Sequence, residues 1–209
     1  AQDATSNVNE YMYSCYYSSD ELQWFADTLY DTPTGYVVMV IAHQFPSAAD
    51  QVDFVDCPFT ISSKFPRAFR AQRMALDGTP IEDIINAYKT KSTIEQTYRP
   101  KYSLLTESTV SKDFSSAKTS QYACMLTGHT HYPVIAKSKK YSDQIVLVCP
   151  STSSDIYQRS TDDIFPMKTN EMNFYIVSID TQLKSINIAK VGATITKDMV
   201  AREYISIPY

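Results

Sequence analysis

Apolar positions recur along this chain with two periods, helical in parts of its first half and strand-like in its second. Leu22, Phe25, Ala26 and Leu29 are spaced as one face of a helix. Ser18 and Glu21 stand ahead of them as a reciprocal capping pair, and Pro33 discourages continuation. Residues 36–42 then form an unbroken apolar, largely β-branched run, which predicts a strand buried on both faces inside an α/β sheet. The stretch 44–120 is the least regular, broken by Pro46, Pro58 and Pro66. Within it Thr79 and Glu82 predict a second capping box, with Pro80 at the first helical position. Ile81, Ile84, Ile85 and Tyr88 supply the apolar stripe, and Pro100 sets an upper limit on that helix. The stretch reads as an insertion, either a lid over a site or a plain structural element.

After residue 120 the pattern turns to strands, at 122–126, 134–137, 144–149 and 205–207. Residues 174–179 and 183–191 predict a hairpin turning at Asp180, Thr181 and Gln182. The fold class is α/β, with helices mainly before residue 100 and mainly antiparallel strands after 120. A length of 209 residues suits one domain spanning the chain.

Composition narrows the function classes. A net charge of −4 and the scattered Lys and Arg leave no basic footprint for nucleic acid. The lysines in 137–140 read as a solvated hairpin surface. No apolar run reaches the ~18 residues of a membrane span, and residues 1–10 lack the basic and apolar regions of a signal peptide. Cys15, Cys57, Cys124 and Cys149 include no C-x-x-C pair, which favours an intracellular, cytoplasmic setting over a secreted or processed product. Tyr11, Tyr13, Tyr16 and Tyr17 alternate imperfectly and read as core-edge packing rather than a sugar- or peptide-binding face.

The three histidines carry the chemistry. His43 directly follows the apolar run 36–42, while His129 and His131 follow the strand 122–126 in Gly128-His129-Thr130-His131. Residues just past the C-terminal ends of strands face the crevice where α/β sheets bind ligands. Positions two apart in extended backbone share a face, so His129 and His131 can address one place. Gly128 permits a tight turn or a close approach to a ligand. Neutral imidazole is the commonest protein metal ligand. A Gly-His-x-His string is expected by chance only about once in a thousand chains of this composition.

These residues carry a resemblance. The helix with Asp20-Glu21-Leu22-Gln23-Trp24-Phe25, a strand ending in His43 to Pro46, an intervening segment, and a strand ending in Gly128 to His131 resemble the second half of the calcineurin-like metallophosphoesterases. The resemblance implies the C-terminal part of an α/β/β/α sandwich and a dinuclear metal centre that hydrolyses phosphomonoesters or phosphodiesters. It implies that His43 and His129 ligate one ion and His131 the other, the ions being manganese, iron or zinc. Two ions ~3.5–4 Å apart clamp a phosphate and lower the pKa of a bridging water.

The family's earlier motifs, Asp-x-His, Gly-Asp-x-x-Asp and Gly-Asn-His-Asp/Glu, have no counterpart. The four glycines, Gly35, Gly78, Gly128 and Gly192, precede neither Asp nor Asn. Asp20, Asp50, Asp53 and Asp56 are available carboxylates, each read as a surface or turn residue. The chain is therefore expected to be a C-terminal fragment, inactive alone and holding at most one ion. Its missing half, or a homodimer, would cover apolar surface along 36–42. The alternative is a non-catalytic binding or structural protein that keeps a half-fold.

Overall fold

The computed structural model describes residues 14–43, 52–56, 73–128, 134–149, 173–192 and 204–209. In chain order the elements are β1 (Ser14–Cys15), α1 (Ser19–Tyr30), β2 (Val37–Ile41), β3 (Val52–Asp56), β4 (Arg73–Met74), α2 (Pro80–Thr90), β5 (Thr93–Tyr98), β6 (Ser108–Asp113), β7 (Gln121–Thr127), β8 (Val134–Ser138), β9 (Ile145–Val148), β10 (Asn173–Asp180), β11 (Ser185–Gly192) and β12 (Tyr204–Pro208). The chain is α/β, with more strand than helix among the described residues. None of its described helices is long and apolar enough to cross a membrane.

A five-stranded mixed sheet runs in the order β2-β7-β9-β8-β3. Strands β2, β7 and β9 are parallel, whereas β8 runs against β9 and β3 against β8. One face packs on the helices: Tyr122, Met125, Val134, Ala136, Val146 and Val148 join Leu22, Leu29, Ile84 and Tyr88 in a single apolar cluster. The other face, through Cys124, Ile135, Ile145 and Leu147, meets Ile186, Ile188 and Ile207 of the antiparallel sheet β10-β11-β12. The described residues thus form helix, sheet and sheet layers. In the second sheet, Val177 pairs with Ile188 and Ile188 with Ile205, all on the inner face, as period-2 alternation demands.

Between β2 and β7 the register slips: Val38 pairs with Tyr122 but Met39 with Cys124, leaving Ala123 as a bulge. Consequently Ala123 and Cys124, though adjacent, both enter the cluster beneath the second sheet.

Helix α1 starts as its sequence dictates. Ser18 Oγ accepts from the Glu21 N–H (3.3 Å), and Glu21 Oε2 accepts from the Ser18 N–H (2.8 Å). Its polar stripe has a use the sequence did not disclose. Ser19, Gln23 and Asp27, spaced four apart, accept from the Thr109 N–H, the Ser111 N–H and Lys112 Nζ at 3.0, 3.2 and 2.7 Å. Strand β6 bonds β5 on its other side, so α1 satisfies an edge that would otherwise stand open.

Three expectations need correction. The second capping box does not form: Thr79 Oγ1 donates instead to Asp83 (3.0 Å), and Glu82 is drawn away to accept from Ser138 Oγ (2.8 Å). The irregular stretch 44–120 is no mere insertion, because β3 completes the main sheet and β5–β6 form a hairpin in the core of the helical layer. Helix α2 keeps within the limit set by Pro100: it ends at Thr90, and the next residue, Lys91, adopts a left-handed cap with φ 55°. Finally, β2 is not buried on both faces. It pairs only with β7, it is an edge strand among the described residues, and Tyr36, Met39 and Ile41 are exposed.

Candidate functional site

The parallel strands β2, β7 and β9 end side by side at one edge of the sheet. The Ala42 N–H donates to Leu126 O (3.0 Å), the Gly128 N–H to His43 O (3.0 Å), and the Cys149 N–H to Thr127 O (2.7 Å). These bonds carry the ladder one step past each strand. They bring His43, Gly128 and Cys149 to the same end of three neighbouring strands, the place where open α/β sheets take ligands. His43 is exposed there. His129, which follows Gly128 in the chain, and His131 lie outside the described residues, as does Asp50.

Among the described residues nothing requires a glycine at 128: its φ lies outside the left-handed region, and the nearest described atom to a Cβ placed there is His43 O at 3.7 Å, an ordinary contact. The residues that would complete a turn after this glycine lie outside the described residues.

Beside it, Thr127 is only 3% exposed and its Oγ1 has no hydrogen-bond partner among the described residues. A buried hydroxyl without a partner costs about 1–3 kcal/mol, and this one stands at the last residue of β7, between the ends of β2 and β9. Burial pushes the Cys149 thiol above its ordinary pKa, so the thiol is neutral at physiological pH and a poor metal ligand in that form. Neither residue announced itself in the sequence. Thr127 precedes the Gly-His string and Cys149 ends an apolar run, patterns shared by many buried strands.

Of the candidate carboxylates, three belong to elements that the structure describes. Asp20 lies in the first turn of α1. Asp53 and Asp56 lie on β3, the edge strand farthest from β2 in the five-stranded order. Among the described residues, no three His, Cys, Asp or Glu side chains are grouped to hold a metal ion.

A second polar centre lies elsewhere. Asp83 on α2, 9% exposed, accepts from Thr79 Oγ1 (3.0 Å), Tyr98 OH (3.0 Å), Tyr141 OH (2.9 Å) and Lys140 Nζ (2.7 Å). The group borders a polar cleft of about 410 Å3 lined also by Asn86, Thr93 and Gln96. Burial, then the Asp83 carboxylate, pushes the Tyr98 hydroxyl far above its ordinary pKa. With its donors saturated, this centre ties α2 to the loop after β8 and is a structural joint. The 137–140 lysines, read as solvated, thus include one that is committed to an ion pair.

No protein-family model, no curated protein and no solved structure matches this chain.

Proposed function

We propose that this chain carries part of the metal site of a phosphoesterase, with His43, His129 and His131 as the imidazole ligands. One observation supports the reading above others. The Gly128 N–H bonds His43 O at 3.0 Å, so the strand ends that lead into the two histidine segments are hydrogen-bonded neighbours. The glycine at 128, which no described contact requires, and the Thr127 hydroxyl, partnerless among the described residues, add to it.

The three imidazoles suit a single divalent ion, zinc, manganese or iron, with an open coordination position. They do not suit a bridged pair, which needs carboxylates that this edge lacks among the described residues. In this reading the acidic ligands come from another polypeptide segment, and the chain alone turns over phosphate esters poorly. When bound, the ion polarises a phosphoryl oxygen and acidifies a water. The chain's own part is to fix two histidine-bearing backbones at adjacent strand ends, while Gly128 leaves room for the ester. In this reading the helix, sheet and sheet layers belong to an α/β/β/α sandwich of which the chain supplies one part, in a cytoplasmic protein.

The test is turnover of p-nitrophenyl phosphate and bis-p-nitrophenyl phosphate after manganese addition, with bound metal measured on the same sample. The reading expects up to one ion per chain and slow or no turnover. Rapid turnover that survives His129→Ala would overturn the assignment of ligands. The other reading, a non-catalytic binding or structural protein with at most one metal, draws on the open apolar edge of β2 and predicts no turnover under any metal loading.

A further inference from the structure

We infer that the outer edge of β2 is a docking site for an extended strand of another polypeptide segment, apolar at its centre and flanked by Lys or Arg. The inference does not depend on metal binding at His43.

An edge strand leaves every second backbone N–H and C=O without a ladder partner. Among the described residues nothing pairs with the outer side of Val37–Ile41. The side chains match that need. Tyr36, Met39 and Ile41 are 60%, 38% and 73% exposed, and Trp24 of α1 is 68% exposed. Trp24 and Tyr36 flank the edge with most of their surface exposed, and Met39 and Ile41 add apolar surface on the strand itself.

The helix shapes this edge into a groove. Toward the His43 end, Trp24, Phe25, Val40 and Ile41 line a cleft of about 170 Å3. Toward the other end, Thr28, Pro33, Tyr36 and Met39 line one of about 550 Å3. Both clefts share the β2–α1 boundary, so a strand laid beside β2 fills both.

Charge selects the occupant. Among the described residues, the side chains with formal charge that line the two clefts are Glu21 and Asp31. Helix α1 also bears Asp20 in its first turn and contains no Lys or Arg, while its Asp27 is turned to Lys112 of β6. A second copy pairing β2 to β2 about a two-fold axis would set two such acidic helices side by side on one face of the joined sheet. A strand with basic flanks meets complementary charge there, and main-chain pairing supplies the affinity.

Trp24 is the only tryptophan in the chain, so its fluorescence reports on this groove directly. The probe is a ten-residue peptide of alternating valine, isoleucine and threonine with two lysines at each end, titrated into the full chain. The expected result is a saturable blue shift of Trp24 emission, weakened by salt, with slowed amide exchange at β2. Methylating alternate backbone nitrogens of the peptide abolishes it. Ile41→Lys weakens it by about tenfold or more, and this exposed position leaves the circular dichroism unchanged. An unmoved Trp24, equal binding by the N-methylated peptide, or a chain already dimeric with β2 amides protected would each overturn the inference. None of these outcomes depends on whether the chain holds a metal.

Discussion

Replacing Asp83 by alanine should cost about 3 kcal/mol of stability, chiefly through the hydroxyls it strands. Four donors converge on this carboxylate, and their surroundings divide them. Thr79 and Tyr98 are each 4% exposed, so without Asp83 their hydroxyls lose a partner in a dry place, at about 1–2 kcal/mol apiece. The Lys140 side chain is half exposed, and water replaces its partner at little cost, about 0.5 kcal/mol or less. Tyr141 is partly exposed and behaves similarly. Asp83→Asn retains an acceptor oxygen and should cost about half as much as alanine. Tyr98→Phe should cost about 1 kcal/mol and Lys140→Met hardly anything. The assay is urea unfolding followed by circular dichroism, with slopes compared so that midpoint shifts translate into free energies. If Lys140→Met proves as costly as Asp83→Ala, the ion pair rather than the hydroxyl cluster holds α2, and the reasoning fails. The pH dependence follows the same ordering. Burial opposes the Lys140 charge, but the Asp83 carboxylate outweighs it and raises the ammonium above its ordinary pKa. That small contribution is complete below the ordinary lysine value and is lost as pH rises through the raised one.

Three further outcomes are expected. Lys184→Gly should stabilise the chain by about 0.5–1 kcal/mol, because its φ of 50° favours glycine; Lys91→Gly at φ 55° should gain nothing, since Lys91 Nζ also bonds Lys118 O (2.7 Å) and lies over the Tyr88 ring. Urea midpoints of the two variants decide it. Burial pushes the Cys124 thiol up to about 12 and the Cys15 thiol to about 11, so at pH 8 Cys15 should alkylate on the order of a few hundredfold, and Cys124 on the order of a few thousandfold, more slowly than a free thiol. Mass spectrometry after iodoacetamide measures this, and rapid labelling in the folded chain would contradict it; because both pKa values are raised, the associated stability is full at neutral pH and declines as pH climbs past the ordinary thiol value. Gly128→Ala should leave the urea midpoint unchanged or slightly raised while weakening any metal or phosphate binding at the strand ends, and a marked loss of stability would show that the fold does require this glycine.

How far the fold could be read from the sequence depended on whether one element's residues carried the whole instruction. The start of α1 was legible because Ser18 and Glu21 are both local, and β9 because four consecutive apolar residues, Ile145–Val148, are all buried. The hairpin β10–β11 was legible too, though its turn runs longer than expected. Asp180 Oδ1 accepts from the N–H groups of Gln182 and Leu183 (2.9 and 2.8 Å), so pairing resumes only at Ser185. Strands β5 and β6 were missed because their sequences, TIEQTY and STVSKD, are mostly polar. Their order comes from a few buried residues, Ile94, Tyr98 and Val110, and from the α1 stripe that closes the β6 edge. The edge position of β2 was equally hidden, since an apolar run states that neighbours are wanted and not which ones are present. At the candidate site, the sequence placed His43 and Gly128 at strand ends. That those ends are adjacent and bonded is a matter of strand order, which lies in the contacts between β2 and β7 rather than in either segment.

The most direct test of the account is the bound metal per chain, measured by elemental analysis after zinc or manganese loading and desalting, for the parent chain and for His43→Ala and His129→Ala. The account predicts about one ion in the parent and next to none in either variant, with circular dichroism unchanged. A folded parent that retains no metal, or a full equivalent persisting in His43→Ala, would contradict the claim that these strand ends share an ion.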